Sequence, residues 1–191
     1  MDPSNHPVTS REYKLMLNVD RFMDRDQGSR VFLGLIDFLI KKAGGTIIDE
    51  QNNEEEKRQT SYLDTPELAL RQHGFALRLR EEAKADEFQI NLKYRASDRY
   101  ISAAQDLSSP QAEADKTKFE EDILPPFVSK FSHSTSVKTN AKPDLSSMQK
   151  VTAFFPGLKK LNIGGNTAVK TIQDFKAVEV VRKLCKFQFG A

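Results

Sequence analysis

The stretch Ser61–Arg95, SYLDTPELALRQHGFALRLREEAKADEFQINLKYR, constrains this chain more than any other. Arg78 and Arg80 stand two apart, and so do Lys93 and Arg95. Side chains on a strand alternate between faces with period two. A strand through Phe75–Arg80 therefore sends Arg78 and Arg80 one way and Leu77 and Leu79 the other. A strand through Glu87–Arg95 sets Lys93 and Arg95 against Leu92 and Tyr94. Hairpinned about the polar EEAKAD linker, two such strands build one apolar and one cationic face. A concave cationic surface suits a polyanion, and phosphate is the foremost one. Arg and Leu in alternation also describe an ordinary solvated strand face, so the wider set of cations has to separate the two readings.

The rest of the chain supplies neighbours for these strands. Residues 11–19 alternate, with Glu12, Lys14 and Met16 on one face and Tyr13, Leu15 and Leu17 on the other. Asp20–Ser29 reads as a polar turn. Val31, Leu35, Phe38 and Leu39 have helical spacing within Val31–Ala43, with Ser29 as a cap, Lys41 and Lys42 at the negative end, and Gly44-Gly45 as the stop. Thr46–Asp49 and Arg58–Leu63 read as strands, with Gln51–Glu56 an acidic loop between them. Thr65, Pro66 and Glu67 suit a helix start by cap, first-turn proline and acidic charge, and that helix ends near Gly74. Lys118–Ile123 reads as a strand ended by Pro125-Pro126. Ser132–Lys142, rich in Ser and Thr, reads as a loop, and Ser146–Phe155 as a helix. Ile163–Asn166 is a glycine turn. Val169–Lys170 and Phe175–Phe189 are β-rich. An all-cationic inner face cannot be a dry core. The strand count therefore favours an α+β protein whose antiparallel β-barrel encloses a polar interior, with flanking helices. Residues 1–9 read as a flexible tail and 10–191 as a single domain.

Composition limits the function classes. The chain has 191 residues, 38% hydrophobic and 29% charged, which fits a globular protein with a real core. Its formal net charge is only +2, so an electrostatic role must come from local sorting of charge, and nucleic acid is disfavoured as a partner. The single cysteine, Cys185, cannot form an internal disulfide and favours a reducing compartment. No apolar run reaches the ~20 residues of a bilayer span; Val31–Ile40 is short and carries Asp37. The first ten residues lack a basic segment followed by an apolar one. A cytoplasmic protein is expected. His6, His73 and His133 are scattered and form no metal pair. Oligomeric state is not readable.

The residues Tyr62, Asp64, Thr65 and Pro66, then Leu70, Gly74, Leu77–Arg80 and Leu92-Lys93, resemble the CYTH superfamily, the triphosphate tunnel metalloenzymes. Its members include inorganic triphosphatases, thiamine triphosphatases and class IV adenylate cyclases. The resemblance is dense in residues 58–95. It implies a closed antiparallel barrel around a charged tunnel, a small-molecule triphosphate or polyphosphate as ligand, and Mg²⁺ or Mn²⁺ as cofactor. Position by position it implies phosphate-binding roles for Lys14, Arg78, Arg80, Lys93, Lys118 and Arg182, and Arg95 joins them as the second cation on the strand of Lys93. Metal-binding roles fall to Glu12, Glu120 and Asp122. The strand at Lys118–Asp122 fits with Glu120 and Asp122 facing inward, or, shifted by one, with Glu121.

Two departures from the family pattern bear on catalysis. Ser10 stands where the family has its first glutamate. The family's late acidic residue and final glutamate strand have no counterpart before Ala191, so the barrel wall is expected to be short at its C-terminal end.

The chemistry explains the residue types. Arginine grips phosphate oxygens with a bidentate fork, and lysine adds a compact charge. Carboxylates offer hard oxygens to a divalent cation. Two function classes follow. One is hydrolysis of a triphosphate, inorganic by default, with organic triphosphates and, less favoured, cyclase chemistry on ATP as variants. The other is a polyphosphate- or nucleotide-binding module without catalysis. No catalytic base is identifiable from the sequence.

Overall fold

In a computed structural model, residues 7–47, 54–82, 87–113, 116–181 and 185–186 are described. In chain order the strands are β1 (Ser10–Tyr13), β2 (Thr46–Ile47), β3 (Glu54–Asp64), β4 (Phe75–Glu82), β5 (Glu87–Ala96), β6 (Thr117–Leu124), β7 (Val128–Thr139), β8 (Lys170–Val181) and β9 (Cys185–Lys186). The helices are α1 (Arg25–Lys42), α2 (Ala69–Gln72), α3 (Arg99–Ala103) and α4 (Met148–Phe154). The protein is α+β. Two compact units divide the chain: Met1–Lys14 with Lys57–Val178, and Leu15–Glu56 with Glu179–Ala191.

A seven-stranded sheet runs in the order β1-β6-β7-β5-β4-β3-β8. β6, β7, β5, β4 and β3 pair antiparallel in turn, while β1 lies parallel to β6. Among the described residues β1 and β8 are its edges. The register sets the two faces. Leu77 pairs with Leu92, Leu79 with Ile90, and Ile90 with Val137, so one face of the central strands is apolar. α4, the 3-10 turn Pro156–Leu161 and the loop residues Leu107 and Leu145 contribute to the same core. Leu70, Ile90, Leu92, Val151 and Phe155 are buried within it. Burying such side chains contributes on the order of 1.5–3 kcal/mol each.

The turn after β3 positions the next two strands. Thr65 does serve the helix start, its Oγ1 accepting from the Ala69 N–H at 3.0 Å, but the helix does not open at Pro66. α2 begins four residues after Thr65, with Leu68 in the left-handed region at its N-cap. Asp64, which is 2% exposed, holds the same helix start. Its Oδ1 accepts from the backbone N–H of Thr65 at 2.7 Å and of Leu70 at 2.9 Å, and its Oδ2 accepts from that of Arg71 at 2.9 Å. Gly74 then turns the chain into β4 with φ +82°. A Cβ there would lie 2.8 Å from the Tyr94 ring, so only glycine fits.

Several expected elements shift. Ser132–Lys142 is no loop: most of it belongs to β7, which pairs with both β5 and β6. Its polarity reflects a strand with one polar face rather than a solvated connection. Strand Ser10–Tyr13 is shorter than residues 11–19, and a 3-10 turn follows at Val19–Phe22. In the second unit α1 starts earlier than expected, capped by Asp24, whose Oδ1 accepts from the Gln27 N–H at 2.9 Å, rather than by Ser29. Its apolar residues Val31, Leu35, Phe38 and Leu39 are exposed. Glu54–Glu56 extend β3 instead of forming an acidic loop. The β4–β5 hairpin is as expected. No helix among the described residues is long and apolar enough to cross a membrane.

Candidate functional site: a cationic sheet face

The face opposite the apolar core carries the charges. On β4, Arg78 and Arg80 share it with their cross-strand partners on β5, Asn91 and Gln89. Further along β5, Lys93 and Arg95 lie beside Ser134 and Ser132 of β7. Those serines lie beside Lys118 and Glu120 of β6, and Asp122 follows on the same face. β1 adds Ser10 against Glu120 and Glu12 against Asp122, and Lys14 follows directly. With strands about 4.8 Å apart, the Cα atoms of Lys93 and Lys118 are roughly 10 Å apart, the reach of a short phosphate chain. Nine of the ten sequence-derived candidates thus share one face. Arg182 lies outside the described residues.

The choice of register in β6 is settled. Glu121 points to the other face, where its carboxylate accepts from Arg11 Nε at 2.8 Å and from Ser129 Oγ at 2.7 Å. The Ser129 and Arg11 bonds hold its carboxyl below the usual range.

Asp122 is the centre of the network, with 0% exposure. Lys14 Nζ lies 2.6 Å from its Oδ1, Arg95 donates to its Oδ2, and Ser132 Oγ donates to the same oxygen at 3.0 Å. Lys14 also reaches Glu12 at 3.0 Å, and Arg95 Nε donates to Ser132 Oγ at 3.1 Å. Burial alone would raise the Asp122 carboxyl, but the Lys14 ammonium, the Lys93 charge, Ser132 and Arg95 outweigh it and hold it below its usual value. Lys14 shows the converse: desolvation opposes its charge, yet the contacts with Asp122 and Glu12 push it above its usual value. Asp122 is fully buried while its partners Lys14 and Arg95 are 34% and 45% exposed, so solvent screens these pairs and each contributes less than a fully buried one.

The cations of β4 and β5 are held differently. Arg78 Nη2 donates to Asn91 Oδ1 at 3.2 Å, and Asn91 Nδ2 donates in turn to the Thr135 carbonyl at 3.3 Å and to Ser136 Oγ at 3.0 Å. Arg78 Nε is buried and makes no hydrogen bond among the described residues. Such an orphaned donor costs about 1–3 kcal/mol unless an acceptor reaches it. Burial pulls Lys93 below the usual lysine value, with Asp122 and Glu120 opposing and Arg95 and Lys14 adding to the shift.

The carboxylates do not gather as a metal cage. Among the described residues no group of three or more His, Cys, Asp or Glu side chains is arranged to hold a metal ion. Asp122 holds cations, Glu12 pairs with Lys14, and Glu120 accepts from Ser10 Oγ at 3.3 Å. The expected metal set of Glu12, Glu120 and Asp122 therefore does not fit a divalent ion as arranged.

Sequence reasoning missed Ser132, Ser134, Ser136 and Asn91. Their signal was the alternation of small hydroxyl residues at period two through residues 132–136, opposite Phe131, His133, Thr135 and Val137. His133, placed in a loop by the sequence, is 6% exposed on β7 and meets the Phe119 ring edge-on at 5.9 Å.

No family model matches the chain, and no curated protein does. Two solved structures show a partial likeness to the chain. One is HpAC1 from Hippeastrum, a candidate adenylyl cyclase with a dominant triphosphatase activity. It shows a TM-score of 0.42 and 11% identity, and the match covers 66% of this chain and 53% of that one. The other is a candidate adenylate cyclase, bh2851, from Bacillus halodurans, with a TM-score of 0.33, 17% identity, and coverage of 73% and 56%. The chain spans about half the length of each.

Proposed function

We propose that the cationic sheet face binds the phosphate chain of a triphosphate and hydrolyses it, with inorganic tripolyphosphate as the default substrate. The observation that carries this reading is the convergence of Lys14, Arg78, Arg80, Lys93, Arg95 and Lys118 on the face opposite the apolar core. Lys14, Arg78, Arg80 and Lys93 are partly buried, which strengthens their pull on an anion because the local dielectric is lower than in water, while Arg95 and Lys118 are exposed. Arg78 brings an unbonded Nε–H, and Arg80 stands on the same face two residues on. Phosphoryl transfer asks a protein mainly to position the chain and stabilise charge on its oxygens, and guanidinium and ammonium groups do both. The CYTH resemblance implies Mg²⁺ or Mn²⁺ as helper. Glu12 and Asp122 are engaged with cations, and Glu120 accepts from Ser10.

That engagement favours a second reading, a polyphosphate-binding module without turnover. Purified protein is incubated with tripolyphosphate and Mg²⁺ or Mn²⁺ from neutral to alkaline pH, and phosphate release is followed. Calorimetry runs in parallel, with and without chelator. Release supports hydrolysis. Binding without release, unaffected by chelator, supports the module. No binding at all defeats both.

A further inference from the structure

Asp122 sits on the polar face without solvent exposure, between two cations supplied by opposite sides of its strand. Lys14, after β1, lies 2.6 Å from Oδ1. Arg95, on β5, donates to Oδ2, which also accepts from Ser132 Oγ at 3.0 Å. Oδ2 accepts two hydrogen bonds, and Oδ1 faces the Lys14 ammonium as an ion pair without an aligned hydrogen bond. A divalent ion would need several oxygens converging in near-octahedral order, and it would be repelled by both neighbouring cations. Glu12, its cross-strand partner, is itself held by Lys14 at 3.0 Å.

We infer that Asp122 is a positioning residue: it holds Lys14 and Arg95 in place for the phosphate chain and does not ligate a divalent cation. This rests on the triphosphate reading above. Charge counting and positioning predict opposite signs for Asp122→Asn. The substitution makes the face more positive, so Coulomb attraction alone would tighten anion binding. Positioning predicts weaker binding, because both cations lose the group that fixes them.

The test is calorimetry of tripolyphosphate with chelator present, together with Mn²⁺ binding to the protein alone. D122N is expected to bind tripolyphosphate about tenfold more weakly, and D122E, which keeps the charge, to recover to within about threefold of the original. Mn²⁺ affinity is expected to be equal in the original protein and D122N. Equal or tighter anion binding by D122N overturns the inference, and so does loss of a Mn²⁺ site. Two measurements need no anion binding. Paramagnetic broadening in unsubstituted protein titrated with Mn²⁺ should not centre on Asp122, and broadening centred there refutes the assignment even if D122N fails to fold. The Arg95 Nη–H groups, one of which donates to Asp122, should exchange slowly in the original protein and faster in D122N. Failure of the original protein to bind tripolyphosphate sinks the proposed function, while these two measurements still judge Asp122.

Discussion

Asp64→Ala tests the link between the turn and the sheet. The Asp64 carboxylate takes backbone N–H groups from Thr65, Leu70 and Arg71, and it is nearly inaccessible to water. Alanine strands these donors. Hydrogen bonds to a charged acceptor contribute about 1.5–3 kcal/mol each, but a shared acceptor makes them non-additive. A capping loss is about 1–2 kcal/mol. Allowing for a second stranded buried donor, the expected loss is about 3 kcal/mol, a fall of roughly 9 °C in Tm for a protein of this size. Asp64→Asn separates the terms. It keeps an Oδ1 that accepts from Thr65 and Leu70 and turns an N–H₂ toward Arg71, so about 1.5 kcal/mol is expected. Thermal unfolding followed by circular dichroism reads both variants. If D64A melts within about 2 °C of the original protein, the size of a surface substitution, the capping argument is wrong.

Further outcomes are expected at the candidate site and in the core. Arg80→Ala should weaken tripolyphosphate binding about tenfold, whereas Arg99→Ala, on α3 and electrostatically coupled to Glu121 of the opposite face, should change it little; equal effects would mean the faces are misassigned. Gly74→Ala places a methyl group 2.8 Å from the Tyr94 ring at φ +82° and should cost about 2 kcal/mol in urea unfolding, and an unchanged midpoint counts against this. Lys93 is lowered by burial below its usual 10.5. Between that lowered value and 10.5 the unfolded chain binds more protons, so the Lys93 contribution to stability rises with pH across this window, and Lys93→Met removes the rise. Anion binding should restore the lysine's proton, so calorimetry in buffers of different ionisation enthalpy should show proton uptake at alkaline pH, absent in K93M.

The β4–β5 hairpin and its two faces were legible because both the apolar and the cationic positions repeat with period two. β7 was not. Its buried face mixes Phe131, His133, Thr135 and Val137, and its other face is serine, so no hydrophobic contrast marks it. Serine is read as loop when nothing shows that its hydroxyl serves a carboxylate. Ser132 does so only because β6 brings Asp122 alongside, and that is long-range information. The candidate cations were readable as residue types on strands. The pairing of Asp122 was not, since carboxylates near cations fit both metal binding and ion pairing. Thr65 was legible as a helix cap, since its Oγ1 accepts from the Ala69 N–H, but the added role of Asp64 and the left-handed Leu68 before the first helical residue were not.

The parallel docking of β1 on β6 joins parts of the chain about 110 residues apart, as in the Thr9 Oγ1–Phe119 carbonyl bond. During synthesis at ~5–20 residues per second, the first strand emerges with no partner for roughly 5–20 s. Lys14 therefore meets its carboxylate late, and a nascent chain halted before Thr117 would leave the ribosome with a bare strand and no chance of completing this corner of the sheet.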